Sequence, residues 1–60
     1  MINSTATKWK VFYRNNKIGR LYLMFEGERP MFTPLLSEAT RFPVDYFSYD
    51  LLSYEEEYLV

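Results

Sequence analysis

The chain has 60 residues, with seven Lys or Arg against eight Asp or Glu, no Cys and no His, for a net charge of −1. Without cysteine there are no disulfides or thiolate metal sites, and without histidine the commonest metal ligand and general base are missing. A chain this short buries only about 60% of its unfolded surface, so association with a partner is the main source of extra stability left to it.

Aromatic residues make up 20% of the chain, as six Tyr, five Phe and one Trp. A small interior cannot hold all of them, and Tyr and Trp suit interfaces because an apolar ring carries a polar tip. Charge divides unevenly. Residues 1–30 carry Lys8, Lys10, Arg14, Lys17, Arg20 and Arg29 against Glu26 and Glu28, a net of +4. Residues 31–60 carry Arg41 against Glu38, Asp45, Asp50, Glu55, Glu56 and Glu57, a net of −5. The halves can attract within one chain or head to tail between chains, although exposed pairs each contribute only ~0–1 kcal/mol.

The sequence reads as one small domain spanning residues 1–60. Residues 1–7 are small and polar and read as a flexible arm. They lack the basic-then-apolar pattern of a targeting segment. From Lys8 the alternation has period two, with Trp9, Val11 and Tyr13 on one face and Lys8, Lys10, Phe12 and Arg14 on the other. Asn15-Asn16 reads as a turn because Asn tolerates positive φ, and Ile18–Glu26 as the returning strand. A three-residue loop through Lys17 pairs Val11 with Leu21 and Trp9 with Leu23. It gathers Trp9, Val11, Tyr13, Leu21, Leu23 and Phe25 on one apolar face, and burial should select that register. Lys10 then lies on the opposite, basic face, where truncation should cost little, whereas truncating Leu23 should cost much.

Residues 26–30 (EGERP) form a turn, and Met31-Phe32 a short strand or connector. Thr33-Pro34 reads as a helix start, with Thr as N-cap and Pro in the first turn, and Arg41-Phe42-Pro43 as its end. In residues 44–60, Phe47, Leu51, Tyr54 and Tyr58 recur at helical spacing. Ser53 and Glu56 match a capping box, so a helix is expected within 46–58. The expected fold is α+β, an N-terminal antiparallel hairpin packed on one or two short C-terminal helices. The alternative is a small SH3-like β-barrel in which 44–52 form a strand.

Catalysis is poorly supported. No serine has a histidine base or a G-x-S-x-G elbow, and the two glycines, at 19 and 27, do not form a phosphate loop. No D-x-D-x-D-G calcium loop occurs, so neither a metal nor a cofactor is expected. The longest apolar run, LYLMF, has five residues against the ~20 needed to span a bilayer, which leaves a cytoplasmic location as the default. The expected function is non-catalytic protein binding, as an accessory, adaptor or inhibitor protein that is oligomeric or part of a complex. A phage origin is compatible with that size and composition. The candidate surface is Tyr22, Tyr46, Tyr49, Tyr54 and Tyr58 with Glu55, Glu56 and Glu57. The alternative is nucleic-acid binding through the hairpin, with Lys8, Lys10, Arg14, Lys17 and Arg20 on phosphates and Phe12 or Tyr22 stacking on bases. The acidic second half argues against that alternative, because it would repel the strand that the first half attracts.

Overall fold

The computed structural model describes residues 8–59, so the arm expected at 1–7 lies outside the described residues. It is an antiparallel five-stranded sheet: β1 (Trp9–Asn16), β2 (Gly19–Glu26), β3 (Arg29–Thr33), β4 (Phe42–Pro43) and β5 (Glu55–Leu59). Single 3-10 turns at Leu36–Glu38 and Tyr49–Leu51 are the only helical elements among the described residues. The α+β expectation is therefore overturned. The barrel alternative also loses the strand it placed at 44–52, which is loop and 3-10 turn instead.

The two strands of the first hairpin form where their apolar alternation and β-favouring residues place them. Their register differs from the expected one. Tyr13 faces Tyr22 and Asn16 faces Gly19, so Lys17 and Ile18 make the turn. Asn16 contributes through its side chain rather than through positive φ: its Oδ1 accepts from the Ile18 amide at 3.0 Å. The positive φ falls instead on Gly19, at 137°. The turn thus moves toward the C-terminus, and each strand keeps its alternation while the two sets combine differently. Val11 and Tyr13 share a face with Tyr22, and Phe12 shares the other with Leu23. The single apolar face expected from Trp9, Val11, Tyr13, Leu21, Leu23 and Phe25 is not formed.

Both faces of β1 bury side chains as a result. Val11, Tyr22 and Ala39 form a core cluster, flanked by Tyr13 and Leu59. On the other face Phe12 is buried, its ring edge-on to Phe42 at 5.1 Å and to Tyr46 at 6.4 Å. Leu23 is fully buried as well.

The first hairpin is paired only near its turn. Further along, the chain between Ala39 and Pro43 runs beside β2 and meets β1. The Thr40 amide donates to the Leu23 carbonyl at 3.2 Å, and the Phe25 amide donates to Thr40 Oγ1 at 2.7 Å. Phe42 and Pro43 then pair with Lys10 and Trp9. These bonds hold the segment extended, which explains the missing helix after Thr33-Pro34. Thr33 Oγ1 does accept from the Leu35 amide at 3.1 Å, yet only a single 3-10 turn, Leu36–Glu38, follows, and its N-cap is Leu35 without a side-chain cap. The second hairpin turns at Gly27, whose φ is 65°, and places Pro30 in β3. No other strand pairs with the outer side of β3 among the described residues, and a proline is tolerated at such an edge.

The C-terminal helix is replaced by β5, whose residues Glu55 to Leu59 pair with β1 from Tyr13 back to Trp9. The Ser53–Glu56 capping box is not used. Ser48 caps the 3-10 turn instead, its Oγ accepting from the Asp50 amide at 3.3 Å, while Glu56 serves as a strand residue facing Phe12. Helical spacing of Phe47, Leu51, Tyr54 and Tyr58 is outweighed because strand pairing satisfies the backbone and brings the acidic run onto the basic strand.

Leu23→Ala is expected to destabilise by ~2–5 kcal/mol in denaturant titrations. Gly19→Ala is expected to cost ~1–3 kcal/mol. No atom lies within 4 Å of the added methyl, so the whole of that cost would be backbone strain at φ 137°. A neutral Gly19→Ala would contradict the Lys17-Ile18 turn.

Candidate protein-binding surface

β1 is flanked by β5, so the basic and acidic halves meet inside one chain. Lys10 is 3% exposed. Its Nζ donates to the Tyr46 carbonyl at 2.9 Å and lies 3.3 Å from Glu56 Oε2. The Phe12 and Tyr58 rings stand 5.4 and 5.8 Å from the same nitrogen. The Tyr58 hydroxyl also donates to Glu56, at 3.2 Å. Expected on an exposed basic face, Lys10 is an internal group that ties the 44–48 loop and β5 to β1. The register of β1 and β5 accounts for it, since Lys10 faces Tyr58 and Phe12 faces Glu56.

The other face carries a second polar group. Arg20 Nη1 donates to Glu57 Oε1 at 2.7 Å, the Tyr22 hydroxyl donates to the same oxygen at 3.3 Å, and the Arg20 guanidinium lies 3.8 Å from the Tyr13 ring centroid. Hydrogen bonding with Tyr22 does most to raise the Arg20 pKa, desolvation opposes it next, and the neighbouring Tyr13, Tyr22 and Glu57 groups add smaller upward effects. Arg20 therefore remains a cation at any working pH. The Arg20 and Glu57 side chains are 40% and 33% exposed, so this ion pair contributes little to stability.

Of the residues expected to bind protein, Tyr46, Tyr49 and Tyr58 are exposed, Tyr54 is half-buried, and Tyr22 is buried in the core cluster. Glu56 and Glu57 are matched to Lys10 and Arg20. Glu55 has no ion-pair partner among the described residues. Of the residues expected to bind nucleic acid, Phe12 and Lys10 are buried, while Lys8, Arg14, Lys17 and Arg20 remain at the surface. Arg14 rests on an aromatic pair: its guanidinium is 4.6 Å from the Tyr54 ring centroid and 5.3 Å from that of Phe32, and the two rings are nearly parallel.

The structure also exposes residues that were not among those expected to bind. Phe47 packs edge to face at 5.0 Å on Tyr49, which was expected there, and Leu52 follows Tyr49 by one 3-10 turn. These three side chains are 61%, 81% and 65% exposed. The segment S48-Y-D50 holds the one local signal for this arrangement, a serine placed to bond the amide two residues on. Ile18, expected on the strand face, stands 91% exposed at the hairpin tip.

The described residues enclose no pocket and contain no cluster of acidic or other ligating side chains suited to a metal ion. No helix among them is long and apolar enough to cross a membrane. Comparison with known protein families, characterised proteins and solved structures gives no match. The functional reading therefore rests on this surface alone.

Lys10→Ala is expected to destabilise by ~1–3 kcal/mol, because it removes a buried stem and leaves the Tyr46 carbonyl unpaired. Lys17→Ala, at an exposed turn, should change stability by less than ~0.5 kcal/mol. Equal effects in paired denaturant titrations would contradict the internal role of Lys10.

Proposed function

We propose that the chain is a non-catalytic protein-binding module, an accessory, adaptor or inhibitor protein that works through its aromatic surface as an oligomer or complex subunit. The supporting observation is a ratio. Twelve large hydrophobic side chains are exposed among the described residues, against five hydrophobic residues in the core. Scattered apolar residues are ordinary on a monomer, but here Phe47, Tyr49 and Leu52 are concentrated in one turn. Rings with few rotatable bonds, exposed on a turn held by β4 and β5, are suited to protein interfaces because ordering them costs little entropy.

Two observations weigh against nucleic acid as the ligand. Lys10 and Phe12 are withdrawn into the interior, and Arg20 is matched by Glu57. The candidate cations that remain exposed, at 8, 14 and 17, share the surface with an acidic second half.

The discriminating experiment compares wild type with a Tyr49→Ser, Leu52→Ser double variant. Both positions are exposed, so circular dichroism should be unchanged. Proteins retained by the immobilised wild type from a lysate of the native host are expected to be lost from the variant, with modest dependence on salt. Fluorescence anisotropy with single- and double-stranded oligonucleotides should show no submicromolar binding at ~150 mM salt. Tight oligonucleotide binding, together with retention that ignores the two substitutions, would overturn the proposal.

A further inference from the structure

Two surfaces of this chain complement one another. The first is the tip of the β1–β2 hairpin. Ile18 there is 91% exposed, an unusual choice for a turn that polar residues form readily. Its fold role is confined to the backbone, where its amide bonds Asn16. Lys17 precedes Ile18 in the same turn and has no carboxylate partner among the described residues.

The second surface is the turn bearing Phe47, Tyr49 and Leu52. Tyr49 and Leu52 are three residues apart across a 3-10 turn and therefore project on the same side, and Phe47 packs against Tyr49. Asp45 and Asp50 flank Phe47 and Tyr49 in sequence, both exposed and both without a cationic partner among the described residues. One surface is thus an aliphatic knob with an unmatched cation, and the other an aromatic patch with two unmatched anions. The internal pairs, Lys10–Glu56 and Arg20–Glu57, leave these charges out.

We propose that the occupant of the aromatic patch is a second copy of this chain, whose Ile18 seats against Tyr49 and Leu52 while its Lys17 faces Asp50 and Asp45. This rests on the protein-binding reading and names the partner. Complementary charge steers the encounter and sets its orientation, and apolar burial holds it. A lipid surface is a poorer occupant for the knob, since one aliphatic side chain is too small an anchor for stable attachment. The contact joins two different patches, so it propagates head to tail or closes when both copies exchange knobs.

The test uses the full chain in sedimentation velocity, with two variants: Ile18→Asp, which removes the knob, and Tyr49→Asp, which removes the patch. Both sites are exposed, and circular dichroism checks that each variant folds. Wild type is expected to self-associate with increasing concentration, and more weakly at high salt. Each variant alone should associate at least ~10-fold more weakly, a loss of ~1.4 kcal/mol. Mixed together, the two variants should form a 1:1 species that neither forms alone, because one supplies the patch and the other the knob. A wild type that stays monomeric to ~1 mM overturns the proposal, as does association unaffected by Ile18→Asp. Failure of the mixture to associate when wild type does also overturns it. A monomer that still retains a host protein through Tyr49 and Leu52 would defeat this inference and leave the protein-binding reading standing.

Discussion

The pairing of β1 on both of its edges is the constraint on which the rest of the molecule depends. On one edge it holds β2 near the hairpin turn and then β4, and on the other it holds β5 along most of its length. Only β3 is fixed through another strand. A strand in that position needs side chains suited to burial on both faces, and Val11 and Phe12 meet that need in adjacent positions. Lys10 completes the set by supplying its charge to Tyr46 and Glu56 from an almost fully buried side chain whose ammonium lies near the Phe12 and Tyr58 rings.

That arrangement accounts for how charge is used. A run of three glutamates would ordinarily be read as a solvated face. In β5 the alternation of the strand sends Glu56 to one side and Glu57 to the other, each toward a different cation. The opposite charges of the two chain halves thus specify a pairing more than they supply free energy, since both carboxylates remain partly open to water. The same arrangement limits the core. With two thin layers of buried side chains on a single sheet, the remaining rings and aliphatic chains have no interior to enter. They are held outside on turns and edges.

Parts of this were legible in the sequence. Alternation from Trp9 to Tyr13 and the Ile, Leu, Tyr and Phe content of residues 18–26 marked the first two strands, and Gly27 marked the second turn. The charge asymmetry held the β1–β5 pairing in outline. Register was not legible, because Asn16 acts through its side-chain oxygen and Gly19 takes the positive φ, whereas Asn15-Asn16 looked like the turn itself. The last strand was hidden because Tyr54, Glu56 and Tyr58 alternate while Phe47, Leu51, Tyr54 and Tyr58 also fit a helix. Only the distant strand β1 decides between them. The exposed tyrosines were partly legible from composition, but not which ones are covered: Tyr22 is in the core, and Phe47 and Leu52 are outside it.

The central claim is that β1 is paired on both edges in the register set by the Lys17-Ile18 turn. Backbone cross-strand nuclear Overhauser contacts test it most directly. They should connect Tyr13 with Tyr22 and Arg14 with Leu21 on one edge, and Val11 with Glu57 and Phe12 with Glu56 on the other. Contacts between Val11 and Leu21, or helical amide-to-amide contacts through residues 54–58, would contradict the account.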